Sequence, residues 1–370
     1  MRLLIAVLTV WLCLGSSPVV PRAEIAVGIA NPLSGPYAAS GSRNLLAVMA
    51  AIEQVNATGG VLGEELVLVS ADDQCGMQEA VDAAERLVTA GVRMVVGHLC
   101  SHSSLLAAAI YDLAGVIMIS PDSTHPRLTE ENRPNVFRLT GRDDAQGREA
   151  ARLIAARWPD ERIAIVHDDT TYGQGLALQT RRELMRRGID LVLVEGYAAN
   201  EKSFALLIET LAAEAVEVLY IGGYGPDAGR IAEAAAQAGL GLQLVGGDGL
   251  AMDEFWAKAG TAGEGAIFTR FELPADIERP TDEPAPSARV LEDFADGGLD
   301  AYAAVEVWTE AVARAGTVDT KPVIRALDRG RFNTALGMLA FDAKGDLEGN
   351  GWAWFVWHDG QSAPLEAPSL

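Results

Sequence analysis

The feature that most limits what this chain can fold into is a repeated alternation of short β-rich runs with helix-period segments. Runs of Val, Ile and Leu that are apolar throughout are typical of parallel strands, because helices cover both faces of a parallel sheet. The alternation therefore predicts an α/β fold built on parallel sheets. The predicted strands are residues 25–29, 65–70, 92–96, 116–120, 163–167, 191–194, 216–221 and 242–245.

Eight such units could close as a barrel, but a polar break at residues 138–144 separates the first four from the second four. A chain of 370 residues also exceeds what one core comfortably serves. We therefore predict two doubly wound, open parallel-sheet lobes. Residues 271–286 are rich in Pro and acids and are predicted to form an exposed crossing or loop. Helices at residues 301–315 and 321–329 follow, and a last aromatic strand contains Trp352, Trp354, Phe355 and Trp357.

The first 23 residues have the pattern of a secretory signal, with Arg2 before an apolar run and small residues up to Ala23. The run is too short to span a bilayer, and no later stretch reaches about 18 consecutive apolar residues. We expect cleavage after Ala23 and export of the rest. Cys13 follows the bulky Leu12, so we interpret it as an apolar signal residue rather than a lipid attachment site.

The net charge and the cysteines give further information on possible partners and on disulfide bonding. The net charge is −22, from 51 acidic and 29 basic residues. A field of this sign repels phosphate backbones, so nucleic acid is not expected as a partner. Cys75 and Cys100 each follow a predicted strand, and two thiols in an exported domain suggest a disulfide, with a free pair as the alternative.

Ligands of open α/β sheets bind beyond the carboxyl ends of the strands, where helix N-termini present N–H groups. Two loops at such ends are rich in hydroxyls, residues 97–104 with Ser101 and residues 120–126 with Asp122, Ser123 and Thr124. Together they would hold a carboxylate. The alternative is that these hydroxyls only cap the helices that follow.

Two further loops offer complementary groups. Gly246-Gly247-Asp248-Gly249 presents a carboxylate that suits an ammonium group, although an ordinary turn aspartate is the alternative. Tyr172 and Tyr224 each lie beside glycine at a strand end of the second lobe. They could cover an apolar side chain, or they could simply be surface aromatics.

With these segments in place, the chain resembles the periplasmic binding proteins of branched-chain amino-acid ABC transporters, which have a type I two-lobe fold. The resemblance runs in order over nearly the whole chain after residue 23. It is carried by Pro32-Leu33-Ser34-Gly35-Pro36, Asn56-Ala57-Thr58-Gly59-Gly60, Asp72-Asp73-Gln74-Cys75, Gly97-His98-Leu99-Cys100-Ser101, Ile119-Ser120-Pro121 with Thr124, His167-Asp168 with Tyr172-Gly173, Gly222-Gly223-Tyr224, and Phe341-Asp342 with Lys344-Gly345-Asp346-Leu347.

The resemblance implies a clamp whose lobes are joined by three crossings, near Arg142, Arg270 and Gly349. Lobe 1 would be residues 24–142 plus 271–349, and lobe 2 residues 143–270 plus 350–370. It also implies a role for each site residue. The ligand carboxylate would be bound by Ser101 and Thr124, beside Ser123. Its ammonium would be bound by the Asp122 backbone and the Asp248 side chain. Tyr172 and Tyr224 would approach the ligand from lobe 2, and a Cys75–Cys100 disulfide would line the pocket.

Several positions depart from the family pattern. Ser40 stands where the family often has a pocket aromatic, Asp122 replaces a small residue, and Gly297-Gly298 stand where a further aromatic is expected. Relatives usually have glutamate at Asp248. We therefore expect a retained amino-acid head-group site, with Ser40 in a side-chain pocket that is wider and more polar than one for leucine.

The resemblance implies a non-enzymatic, monomeric, periplasmic receptor that binds a small amino-acid-like ligand, delivers it to an ABC transporter permease in the inner membrane, and needs no cofactor or metal. Three alternative functions are compatible with parts of the sequence. They are a dinucleotide-binding enzyme using Gly223-x-Gly225-x-x-Ala228, a metal site at His98, Cys100 and His102, and a receptor of the same fold for an amide or urea. Hydrolase chemistry is disfavoured, because His167-Asp168 has no evident nucleophile nearby.

Overall fold

The computed structural model describes residues 24–273, 288–294, 297–349 and 351–365. Its first sheet has five strands in the order β2-β1-β3-β4-β5, and every pairing in it is parallel. The strands are β1 (Glu24–Asn31), β2 (Glu65–Asp72), β3 (Met94–Gly97), β4 (Ile117–Ser120) and β5 (Val136–Arg138). The helices between them are α1 (Ala38–Ala57), α2 (Met77–Thr89), α3 (Ser101–Ala114) and α4 (Arg127–Glu130).

The second sheet has seven strands in the order β14-β13-β10-β9-β8-β6-β7. Its parallel strands are β6 (Ile163–Asp168), β7 (Leu191–Tyr197), β8 (Val218–Gly222), β9 (Gln243–Gly246) and β10 (Ile267–Phe271). The antiparallel edge is β13 (Trp352–His358) and β14 (Gln361–Pro364). Its helices are α5 (Asp143–Arg157), α6 (Thr171–Arg186), α7 (Ala205–Ala213), α8 (Gly225–Gln237) and α9 (Asp253–Ala259).

Between β10 and β13 the chain returns to the first sheet. The returning elements are α10 (Ala288–Asp293), α11 (Leu299–Ala315), α12 (Thr320–Leu327) and a hairpin of β11 (Phe332–Thr334) and β12 (Gly337–Leu339). Helix α11 packs against α1 and the first sheet, and its Trp308 is completely buried in that core. The chain thus passes between the sheets after β5, after β10 and before β13. This order supports the predicted lobe boundaries, which stay a prediction.

The predicted α/β class and the separation into two sheets are confirmed, and the aromatic C-terminal strand is present as β13. Five strands were not predicted: β5, β10, β11, β12 and β14. The polar break at residues 138–144 begins inside β5, whose three residues are too few to show a pattern, and β10 ends where a loop was predicted to start. The predicted signal, residues 1–23, and residues 274–286 of that loop lie outside the described residues.

A buried ion network joins two of the crossings. The Arg138 side chain, 0% exposed, donates through Nε to Asp346 Oδ1 at 2.9 Å, and Arg142 Nη1 donates to Asp346 Oδ2 at 2.7 Å. Thr129 Oγ1 adds a third donor at 2.9 Å. Burial raises the pKa of Asp346, but the nearby Arg138 charge and the three donors outweigh burial and lower it overall. The segments on either side of the first and third crossings are therefore tied together.

Candidate functional site

A cavity of about 590 Å³ lies between the two sheets, at the carboxyl ends of their strands. Its size falls within the range of about 300–1,000 Å³ that is usual for small-ligand sites. The loops after β3, β4, β6, β8 and β9 each contribute to its wall, as the parallel topology requires. Of the predicted binding residues, those that line the cavity are Ser40, Ser101, Asp122, Thr124, Tyr172, Tyr224 and Asp248.

Ser123 and Cys100 are fully buried behind this wall. The Ser123 hydroxyl lies 3.1 Å from the carbonyl oxygens of both His98 and Leu99 and 2.6 Å from the Ser104 hydroxyl, so it braces the two hydroxyl-rich loops against each other. Cys100 forms the predicted disulfide with Cys75, with 5.5 Å between their Cα atoms. The disulfide fixes the loop immediately before Ser101.

Ser101 and Thr124 form one end of the cavity. Ser101 is the first residue of α3, a helix of 14 residues, so unpaired backbone N–H groups and the positive helix end face the space beside its hydroxyl. The Ser101 N–H lies 3.4 Å from the Tyr224 hydroxyl, which reaches across from the second sheet. Hydroxyls beside a helix N-terminus are the chemistry that binds an anion.

Asp248 also lines the cavity and lies directly after β9. Its Oδ1 accepts hydrogen bonds from the Tyr172 hydroxyl at 2.7 Å and from Gln146 Nε2 at 2.8 Å. The Tyr172 hydroxyl itself accepts the Gly249 N–H at 2.9 Å, so its own proton is directed at Asp248. Burial raises the pKa of Asp248, although these donors act in the opposite direction. A carboxylate held in this way can receive a cationic group from the ligand.

Three tyrosine rings contact one another next to the cavity, and two of them, Tyr172 and Tyr224, line it. The ring of Tyr224 lies 4.8 Å from that of Tyr172 and 5.1 Å from that of Tyr37, measured between centroids. Tyr37 lies just before α1, on the side of the first sheet, whereas Tyr172 and Tyr224 lie at the starts of α6 and α8, on the side of the second sheet. The aromatic contact therefore crosses the cleft, and the structure has the closed arrangement of the two halves.

Two polar contacts also cross the cleft, between α1 and α9. Ser40 donates its hydroxyl to Glu254 Oε2 at 2.9 Å and its backbone N–H to Glu254 Oε1 at 3.0 Å. One turn further along α1, Arg43 forms an ion pair with Asp253. Ser40 therefore lines the cavity, as expected, but its polar groups are engaged by the opposite half of the protein.

Two more carboxylates face the cavity from the first sheet. Asp122 follows β4, and its Oδ2 accepts a hydrogen bond from Asn44 Nδ2 at 2.7 Å. Asp300 lies in the first turn of α11. Burial and the neighbouring Asp248 raise the pKa of Asp122 to about 7, while burial and Asp122 raise that of Asp300 to about 7. The two groups are close enough to influence each other electrostatically.

The glycine turn after β8 has no room for a dinucleotide. A Cβ on Gly223 would lie 2.8 Å from Asp168 Oδ2, and a Cβ on Gly225 would lie 2.9 Å from the Phe255 backbone nitrogen. The Tyr224 N–H donates to Asp168 Oδ2 at 3.3 Å. The turn therefore packs against the protein's own carboxylate, which would repel a pyrophosphate.

The alternative metal ligands are also engaged elsewhere. The ring nitrogens of His98 contact Asp73 and the Tyr111 hydroxyl, and Nε2 of His102 contacts the Cys75 carbonyl. Cys100 is in the disulfide. Within the described ranges, no group of three or more His, Cys, Asp or Glu side chains has the arrangement of a metal site.

The residues of this site that were not identified from the sequence include Arg43, Gln146, Glu254 and Asp300. Gln146 and Glu254 sit on helices with no local signal, because their roles depend on which helix faces which loop. Asp300 had a signal, since it lies two residues after the Gly297-Gly298 departure and immediately before the predicted helix at residues 301–315.

The chain is similar to known proteins over most of its length. Residues 24–360 match the family model described as periplasmic binding protein. The chain is 37% identical to the leucine-, isoleucine-, valine-, threonine- and alanine-binding protein of Pseudomonas aeruginosa, with 90% of each chain covered. It is 38% identical to Leu/Ile/Val-binding protein homolog 2 of Brucella abortus, with 92% of each chain covered.

Solved structures agree in fold. A leucine-binding protein of Thermotoga maritima superposes with a TM-score of 0.81 at 25% identity, covering 92% of this chain and 97% of the other. A substrate-binding protein of an ABC transporter from Desulfitobacterium hafniense, in complex with Leu, gives a TM-score of 0.72 at 26% identity, covering 92% of this chain and 100% of the other.

Proposed function

The chain belongs to the periplasmic binding protein family, and from that premise we propose that it is the solute-binding component of an ABC importer and captures an amino acid. Family members and relatives are binding proteins rather than enzymes. Relatives from Pseudomonas aeruginosa and Brucella abortus carry the names of amino-acid-binding proteins. The proposal transfers that ligand class to this chain.

One observation carries the proposal. The cavity is lined by the Ser101 hydroxyl at the N-terminus of α3, by the Thr124 hydroxyl and by the buried carboxylate of Asp248. An α-amino acid has the matching pair of groups, a carboxylate and an ammonium. Since each buried charge then has a partner of opposite sign, the cost of removing both from water is offset.

The same contacts explain how binding would close the protein. A ligand resting on Ser101 and Thr124 would meet Tyr172, Tyr224 and Asp248 only when the two halves approach. Its preference for that arrangement would shift the population toward the closed form. Water exclusion would then strengthen each polar contact.

The amide or urea alternative is less well supported, because a neutral ligand leaves Asp248 without a counter-charge.

The proposal also includes removal of residues 1–23, a periplasmic location, a monomeric state and docking of the closed form on an inner-membrane permease. Among the helices of the described residues, none combines the length and apolar character needed to cross a bilayer.

Isothermal titration calorimetry of the purified protein against the twenty amino acids tests the proposal. We expect one chemical group of amino acids to bind, and Ser101→Ala to weaken that binding. Ser42→Ala, which changes an equivalent side chain on α1, serves as the control and should leave binding intact. If no amino acid bound to folded protein, the proposed function would be wrong.

A further inference from the structure

The charges of the cavity wall are unbalanced for a ligand with a neutral side chain. The lining contains the carboxylates of Asp122, Asp248, Asp253 and Asp300 and the guanidiniums of Arg43 and Arg270. Arg43 is in an ion pair with Asp253. Arg270 donates to Glu272 at 3.1 Å, and its guanidinium lies 3.9 Å from the centre of the Phe355 ring.

The head group of an amino acid corrects only part of this imbalance. Its carboxylate is matched by Ser101, Thr124 and the α3 N-terminus, and its ammonium by Asp248. Asp122 and Asp300 are left over, both on the first-sheet side of the cavity. In the described part of the chain, Asn44 is the only side chain that donates to Asp122, and only its own backbone N–H donates to Asp300.

Two glycines that shortly precede Asp300 in the chain, Gly297 and Gly298, also line the cavity. Gly297 and Gly298 have φ values of +134° and +96°. A Cβ on Gly297 would lie 3.1 Å from Arg43 Nη1, so these two glycines make room for the Arg43 side chain as it passes toward Asp253. The region that would otherwise be filled by an apolar ring is therefore bordered by charged groups.

We propose that the ligand is an amino acid whose side chain ends in an ammonium or guanidinium group, and that Asp122 and Asp300 bind this group. This inference rests on the proposed function, because it takes the α-amino and α-carboxyl positions as given. The cavity itself is the second observation, since Asp122 and Asp300 line the space in which the ligand side chain would lie.

The energetic argument favours a cation over an apolar side chain. Closing the cleft over leucine would remove two carboxylates from water and give them only methyl groups as new neighbours, which is costly. A cationic group would instead form charge-assisted hydrogen bonds with both. Arg270 offsets part of the charge of Asp300, but its guanidinium is already bound to Glu272.

The test compares matched ligands on the wild-type protein by calorimetry. Arginine is compared with citrulline, and lysine with norleucine, because each pair has similar size and differs in charge. We expect at least one cationic member to bind about 30-fold or more tightly than its neutral partner, as is typical when a desolvated charge pair is lost. Asp300→Asn and Asp122→Asn should each reduce this difference, with thermal melts confirming that both variants fold.

The outcomes separate the inference from the function on which it rests. If leucine or norleucine bound as tightly as arginine and lysine, the inference would be overturned and the amino-acid-binding function would stand. If no amino acid bound, both would be overturned. If a cationic amino acid were preferred but Asp122→Asn and Asp300→Asn left that preference unchanged, the assignment of these two residues would be overturned.

Discussion

Ser40 at the start of α1 holds both carboxylate oxygens of Glu254 on α9, one through its hydroxyl and the other through its backbone N–H. Ser40 lies in the half of the protein that is built on the first sheet, and Glu254 lies in the half that is built on the second. The two residues are far apart in the sequence. Their contact can exist only when the cleft is closed. This contact between two protein residues therefore stabilises the closed form in addition to any contact that the ligand makes.

Removing the contact should weaken ligand binding by destabilising the closed form. We expect Glu254→Gln to cost up to about 1.5–3 kcal/mol of binding free energy, the range for hydrogen bonds to a charged group, and Ser40→Ala to cost less because its N–H remains. Stopped-flow kinetics should show faster ligand release. Ser42→Ala on the same helix is the control, and additive effects in the double variant would contradict a direct Ser40–Glu254 contact.

Asp248→Asn should reduce the affinity for any amino acid by about 2–5 kcal/mol, because a buried ammonium would lose its charge partner. Tyr172→Phe should have a smaller effect, since it removes one donor to Asp248 and leaves the charge. Calorimetry measures both. Asp190→Asn changes an exposed carboxylate and should be neutral, whereas an Asp248→Asn protein with unchanged affinity would point to a ligand without an ammonium group.

The binding of a cationic amino acid should weaken as the pH falls. Burial and neighbouring carboxylates raise the pKa of Asp122 and of Asp300 to about 7 in the empty cleft, with Asn44 and Arg270 acting in the opposite direction. A cationic side chain requires both groups charged, so binding near neutral pH releases protons and affinity drops below about pH 7. Titration in buffers of different ionisation enthalpy measures that release. Equal affinity for lysine at about pH 8 and pH 6 would contradict this.

Asp346→Asn should destabilise the fold by about 3–5 kcal/mol at neutral pH, because Arg138 would be left as a buried charge. The pKa of Asp346 is lowered in the folded state, so its contribution is present above the unfolded value of about 3.9 and is lost as pH falls through the lower folded value. Urea unfolding should therefore separate wild type and variant at neutral pH, and the gap should narrow in strong acid. The exposed Glu348→Gln is the control.

Breaking the Cys75–Cys100 disulfide should lower the free energy of unfolding by about 3.5 kcal/mol, as the chain-entropy account gives for a loop closed over a sequence separation of 25. A Cys75→Ala/Cys100→Ala variant and wild type treated with reductant should unfold at similar urea concentrations. Both should also bind ligand less tightly, because the loop before Ser101 would be less ordered. An unchanged unfolding curve would show that the disulfide does not constrain the unfolded chain.

The sequence predicted the α/β class and most strands, because buried parallel strands are apolar along their whole length and stand out from amphipathic helices. β5 escaped notice because its three residues include Arg138, whose charge is matched only by Asp346 from a distant segment. β10 was hidden because it runs directly into a Pro-rich, acidic stretch. In both cases the missing information was tertiary.

The residues at strand ends were also predictable, since Ser101, Thr124 and Asp248 occupy positions where the topology concentrates polar loops. The contacts that the side chains of Ser123 and Glu254 make were not predictable from the sequence. Ser123 has the same local setting as its neighbours, and only the three-dimensional path of the loop directs its hydroxyl toward the His98 and Leu99 carbonyls. Glu254 acquires its role from the approach of two helices that lie in different halves.

The interleaved order of the two sheets has a consequence for how this protein is made. The core behind β3 and β4 is incomplete until α11 has been synthesised, because Trp308 and its neighbours fill it. The other sheet waits for β13, which arrives later still and pairs with β10. Neither half can therefore reach its final packing before α11 and β13 have been added to the chain.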